Sequence, residues 1–374
     1  MNPWGPLSPA MSVGGDGRPI AKRRKGRPTP PEKPSWPVTR LLALLDLGIL
    51  DDLFGNHGRG RKGYGPSVLV KCLLLVPLKY KSRRELTRAL KHYPNLREAI
   101  GLAGIPDRTT FSHFEKRIGP RGFILVFLLL AWELAKAGVI IGKTVAMDAT
   151  VIQACSKPRR KGSRKRPADP DARWGYARRE GKRTVHVFGY KAHVAVDTGS
   201  GLPIAFWVTP GNRHEIVGFW RLLGFVLFLG LRVAKVLGDA AYDALELREA
   251  VCRVLGATPM FALNVRRTPG RSEREKRKNR AMLLREWHRE EGLLGRYIDP
   301  RGVRFKGFFK QRTSVERNNG NGKENFGLNS LKLRGLERTT THVALCLSAE
   351  LAVALAAHRV GRPDLIRSPS CFRA

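Results

Sequence analysis

Apolar residues recur at three- and four-residue spacings between Thr39 and about Gly119, and the repeat predicts helices over Ser67–Leu78, Ser82–His92 and Thr109–Ile118. Pro94 and Gly104-Ile-Pro106 interrupt it, and Asp107 is placed to cap the helix that follows. A helical unit ending in a helix-turn-helix is the expectation. Beyond an apolar helix at Phe123–Lys136 the period changes, and Thr144–Ile152, Lys191–Asp197, Pro203–Thr209, Ala234–Leu237 and Pro259–Val265 read as strands. Thr198-Gly-Ser-Gly201 joins the second and third as a tight hairpin, whereas helices at Glu215–Phe228 and Ala244–Leu255 alternate with the later strands. That order predicts a mixed α/β sheet preceded by an all-α region. A last helix, Thr339–Arg359, is apolar over most of its surface and should cover the core or serve a subunit interface.

Composition then narrows the partner. With 374 residues, 42% of them hydrophobic, the chain has ample core. Its 69 Lys and Arg against 31 Asp and Glu leave a formal charge of +38, far beyond the needs of solubility. A polyanion is the natural partner, and nucleic acid is preferred to a membrane. The apolar runs Phe123–Trp132 and Phe219–Leu231 fall short of the roughly 20 residues a bilayer span needs. The N-terminus carries no secretory pattern, so a cytoplasmic, nucleoid-associated location is expected. Five scattered cysteines suggest neither a zinc site nor a disulfide framework.

The expected organisation is a disordered basic arm over 1–36, a helical domain over 37–120, a sheet domain over 121–360 with basic insertions at 157–183 and 266–308, and a tail over 361–374. In the arm, Lys22-Arg-Arg-Lys-Gly-Arg-Pro28 suits a narrow minor groove or a non-specific basic contact. The segment Lys157–Arg183 reads as a mobile DNA-facing loop, and Arg266–Arg312 contains a charged helix at Met282–Glu291.

Cutting and joining phosphodiesters calls for charge on both the attacking and the leaving oxygen, which two divalent ions held by a few carboxylates supply. Asp148 is an acid inside the apolar strand Val145-Ala-Met-Asp-Ala-Thr150, where an unpaired charge is costly. Asp239 ends the apolar run Val236-Leu-Gly238 at a strand's carboxyl edge. Glu316 lies in a helical stretch whose spacing sets Arg312, Glu316 and Lys323 on roughly one face. Each acid taken alone also reads as a strand-end charge, a helix cap or half of an ion pair.

These segments resemble the catalytic DDE domain of bacterial and archaeal insertion-sequence transposases, loosely the IS-four and IS-five superfamily, over about residues 140–357. That family's Tyr, Arg, Glu, Lys signature is met by Phe309, Arg312, Glu316 and Lys323 at its spacings, with Phe replacing the Tyr. Gly189-Tyr-Lys-Ala-His-Val-Ala-Val-Asp197, Thr209-Pro-Gly-Asn-Arg-His-Glu215 and Gly238-Asp-Ala-Ala-Tyr-Asp243 are similar to the same family. Gly63-Tyr-Gly-Pro-Ser67 and Pro106-Asp-Arg-Thr-Thr-Phe111 resemble its helical N-terminal domain.

The resemblance implies a ribonuclease-H-like core in which Asp148, Asp239 and Glu316 bind two Mg²⁺ or Mn²⁺ ions. Arg312, Lys323, Lys191 and Tyr242 would contact DNA or its phosphates, with His193 and His214 as weaker candidates. The implied partners are the element's terminal inverted repeats and target DNA, engaged by a homodimer when two ends are brought together, with no membrane. A non-catalytic DNA-binding descendant and a metal-dependent nuclease of the same fold are the competing expectations.

Overall fold

The computed structural model describes residues 36–55, 63–159, 168–177, 185–266 and 268–369. The basic motif Lys22–Pro28 lies outside them. Six helices come first: α1 (Trp36–Leu44), α2 (Ile49–Phe54), α3 (Pro66–Leu78), α4 (Arg83–His92), α5 (Pro94–Ile100) and α6 (Arg108–Lys136). The cap anticipated at Asp107 forms here, and the structure adds one at Ser82. Asp107 accepts a bond from Thr109 N at 2.9 Å, and Ser82 accepts one from Glu85 N at 3.2 Å. The helices expected at Thr109–Ile118 and Phe123–Lys136 run together as α6, broken only where Gly119 takes φ 61° ahead of Pro120.

The sheet contains β1 (Thr144–Gln153), β2 (Arg173–Ala177), β3 (Val185–Asp197), β4 (Pro203–Pro210), β5 (Lys235–Gly238) and β6 (Thr258–Phe261), with α7 (Glu215–Phe228) and α8 (Leu245–Arg253) between the later strands. Spatial order along the main path is β4-β3-β1-β5-β6, and β2 pairs with the outer half of β3. The pairs β4–β3 and β3–β1 are antiparallel, and β1–β5 and β5–β6 are parallel. This mixed sheet is the ribonuclease-H-like arrangement.

Successive residues of a strand face opposite sides, and β4 shows both layers. Phe206 meets Phe127 of α6 edge to face at 5.0 Å, while neighbouring Trp207 meets Phe225 of α7 at 6.4 Å. The chain closes with α9 (Glu273–Glu290), α10 (Val303–Phe309), α11 (Thr313–Asn325) and α12 (Leu336–Arg359). The last of these packs against α6, α3, α1 and β4, so the helical region and the sheet share one core. Both α6 and α12 are long and apolar enough to cross a membrane, and 94% of the apolar stretch of α12 is buried inside the protein.

Three expectations need correction. Residues 168–177 of the supposed loop Lys157–Arg183 are tied down: Tyr190 donates to Asp169 at 2.6 Å, Leu336 N donates to Asp171 at 2.8 Å, and β2 follows. The alternation in Trp174-Gly-Tyr176 and Val185-His-Val-Phe188 is the strand signal, hidden between basic runs; residues 160–167 and 178–184 lie outside the described set. The strand expected over Pro259–Val265 stops at Phe261, the last residue paired to β5. The helix expected from Met282 starts instead at Glu273, where Ser272 accepts from Glu275 N at 3.1 Å and Arg277 pairs with Glu273.

Candidate active site

Strand register brings the first two acids together. In the parallel pair, Ala146 of β1 lies opposite Leu237 of β5, and two residues further on in the chain are Asp148, within β1, and Asp239, just past the end of β5. Asp239 caps a short turn through a 2.9 Å bond from Ala241 N. Burial pushes the Asp148 carboxyl up to about 7; the Ala149 N–H and Arg312 pull it down, and the charges of Asp239 and Glu215 raise it further.

Glu316 reaches this pair by way of a cation. It sits in the first turn of α11, half-exposed, with its carboxylate bound by Arg312 four residues earlier. The same guanidinium also lowers Asp148, so one cation acts on both the strand acid and the helix acid. Lys323 lies on α11 two turns further along. Among the described residues, no three His, Cys, Asp or Glu side chains converge on one point as they stand.

The other expected residues lie deeper. Lys191 is buried on β3, where its ammonium donates to the Arg213 carbonyl at 3.0 Å and pairs with Glu215 at 3.6 Å. Tyr242 is fully enclosed; its hydroxyl has no partner, and burial with the charges of Glu215, Asp148 and Asp239 raises its pKa. His193 is held by Thr209 at 3.0 Å under α7, and burial, with Lys191 nearby, lowers it to about 3, so it is neutral. His214 caps α7, accepting from Ile216 N at 3.3 Å. Phe309 stacks on Phe305 at 5.2 Å and lies under Arg312 at 5.7 Å, contacts that need no hydroxyl.

Glu215 was not singled out in the sequence. An acid in the first turn of a helix is ordinary by the helix dipole, so nothing local marks it. The available signal was its place in the family-like segment Thr209–Glu215.

The site fits a divalent ion by its donor set: one carboxylate within β1, one just past the end of the adjacent β5, a third acid held by an exchangeable cation, and an orphaned buried hydroxyl that feels the strand acids. Residues 142–350 match the family model described as a transposase DDE domain, and residues 27–117 match one described as a transposase domain. Among solved structures, a piggyBac transposase synaptic complex with hairpin DNA is similar at 10% identity over 90% of this chain and 81% of that one, with a TM-score of 0.37. A pre-cleavage Mos1 transpososome aligns at 11% identity over 70% of this chain and 82% of that one, with a TM-score of 0.18.

Proposed function

The chain belongs to the DDE-domain transposases, and from that premise we propose that it cuts DNA at the ends of its element and joins the freed ends to target DNA. The observation that carries this reading is the placing of Asp148, within β1, and Asp239, just past the end of the neighbouring β5, two residues beyond the paired Ala146 and Leu237, with Arg312 acting on Asp148 and bound to Glu316. These three acids would hold two Mg²⁺ or Mn²⁺ ions, which when bound stabilise charge on the attacking and leaving oxygens of a phosphodiester.

The chain's own groups do the rest. Water attacks the end phosphodiester and the 3′ oxygen leaves; that 3′ hydroxyl then attacks a target phosphodiester and displaces a target 3′ oxygen. Bonds broken and formed balance in each step, and no protein-bound intermediate is needed. Arg312 binds Glu316 now, and a DNA phosphate offers its guanidinium a competing planar partner. That exchange frees Glu316 as DNA arrives. Lys323 adds charge on the same helix, whereas buried Lys191 and Tyr242 act from beneath the acids.

Residues 37–120 are assigned to recognition of the inverted repeats and residues 121–360 to the chemistry, with 1–36 as a basic arm and 361–374 as a tail. The basic insertions 157–183 and 266–308 supply affinity that falls steeply with salt. Synapsis of two ends suits a homodimer.

The test incubates labelled DNA carrying the flanking inverted repeats with wild type, Asp148→Ala and Glu316→Ala, in Mg²⁺ or Mn²⁺. Metal-dependent cut and joined products are expected from wild type only, with DNA binding retained by all three. Binding without cutting by wild type under either metal sinks the enzymatic reading, and cutting without joining leaves a nuclease.

A further inference from the structure

We infer that Glu215 is a fourth acid of the divalent-cation site, and that Lys191 is the cation holding its place until the ions bind; the inference rests on the reading of Asp148 and Asp239 given above.

Three observations carry it. First, Glu215 is mostly buried and only half engaged. One carboxylate oxygen is 3.6 Å from the Lys191 ammonium, while the other is buried without a hydrogen-bond partner. Among the charges acting on Glu215 the largest is that of Asp239, and Glu215 in turn acts on Asp148. A protein with 69 cationic side chains has ample means to neutralise this acid, yet leaves one of its oxygens buried without a partner.

Second, the Tyr242 hydroxyl is wholly buried and unpartnered, and the charges acting on it are those of Glu215, Asp148 and Asp239, with Arg312 opposing them. A buried hydroxyl normally has a partner, and an orphan that feels the charge of three acids fits a site suited to a cation.

Third, the position of Glu215 is enforced. A Cβ on Gly218 would lie 2.2 Å from the His193 ring, so only glycine lets α7 settle this closely on β3. His193 is itself fixed by Thr209. One turn before Gly218, the backbone carbonyl of Arg213 and the carboxylate of Glu215 are both gripped by Lys191. The first turn of α7 is therefore clamped onto the strand that neighbours Asp148.

A divalent ion entering among Asp148, Asp239 and Glu215 would displace the Lys191 ammonium, because both neutralise the same carboxylate. Removing Glu215 should weaken the ion, and removing the Lys191 charge should strengthen it.

The test titrates Mn²⁺ into the full-length protein without DNA and counts free Mn²⁺ by its paramagnetic resonance signal, a readout that needs no turnover. Wild type is compared with Glu215→Gln, Glu215→Asp, Lys191→Met, Asp148→Asn and Asp239→Asn, with exposed Glu273→Gln as a control for charge at a distance. Glu215→Gln should weaken Mn²⁺ roughly 10- to 100-fold. Glu215→Asp should recover part of that loss, Lys191→Met should tighten binding, and Glu273→Gln should leave it unchanged. Wild-type affinity in Glu215→Gln, with loss in Asp148→Asn and Asp239→Asn, overturns the fourth acid and leaves the DDE reading standing. Wild-type affinity in both Asp variants overturns the DDE reading itself. Should Glu215→Gln fail to melt cooperatively, Lys191→Met decides: unchanged affinity overturns the inference.

Discussion

Tyr242 and Asp243 are adjacent in the chain and belong to opposite electrostatic worlds. On one side, Asp243 is saturated: Arg248 donates to one oxygen at 2.8 Å, while Arg280 at 3.0 Å and Asn264 N at 2.8 Å serve the other. Arg248 continues to the carbonyls of Pro259 and Phe261. Burial alone would raise Asp243, but the two guanidiniums and the amide outweigh it and lower its pKa. On the other side, Tyr242 feels the charges of Asp148, Asp239 and Glu215, where burial raises Asp148 and Glu215, and both its hydroxyl and one Glu215 oxygen are buried without a partner. The sheet thus holds a finished ion network beside an unfinished one. A saturated buried acid is a structural device, whereas a deficit that persists in a strongly cationic protein marks where an outside cation belongs.

Breaking the finished network gives the largest expected effect. Arg248→Met leaves the Asp243 carboxylate buried with one guanidinium fewer, and should lower stability by roughly 3–5 kcal/mol in denaturant unfolding. Asp148→Asn, its counterpart on the unfinished side, should unfold no earlier than wild type at neutral pH, because it removes an acid that burial disfavours. Equal losses in the two variants would erase the contrast.

A pH series sharpens the comparison at a third buried acid. Glu350 on α12 accepts from Asn318 at 2.8 Å and Asn321 at 2.9 Å through one oxygen, and its other oxygen has no partner. Burial raises it to about 7, against the pull of the two amides. With the folded value above the unfolded one, its contribution is complete below the ordinary carboxyl range and is lost as pH rises through about 7. Asp148 works in the same direction, and neutral His193, lowered to about 3, works in the opposite one below its ordinary range. The melting temperature of wild type should therefore fall between pH 5 and pH 8 by more than that of Glu350→Gln. Identical slopes would remove Glu350 from the account.

The smallest expected effect is at Phe309. Restoring the family's hydroxyl with Phe309→Tyr should change stability by no more than about 0.5 kcal/mol and cleavage by little, since Phe309 already stacks on Phe305 and lies under Arg312. A large gain in cutting would show that the missing hydroxyl limits this chain.

Much of this was legible beforehand. An acid amid the apolar residues of β1 and another closing β5 stood out because hydrophobic strands tolerate charge badly, and α7 spans the predicted Glu215–Phe228. Less visible was anything settled by partners remote in sequence. Tyr242 read as a phosphate contact, but its depth is decided by neighbours such as Phe219 and Phe261. The engagement of Lys191 depends on the turn before α7, and β2 depends on the outward reach of β3. Local pattern reports propensity, while saturation of a buried charge is a property of the assembled core.

The central role of α12 carries a consequence for biosynthesis. The helix lies about 200 residues after α6 in the chain, yet completes the packing of α6, α3 and α1 as well as one face of the sheet. While the ribosome is still short of residue 336, neither the N-terminal helices nor the sheet has its shared keystone. A prematurely terminated chain would lose the packing of both regions at once, instead of leaving an independently packed helical fragment.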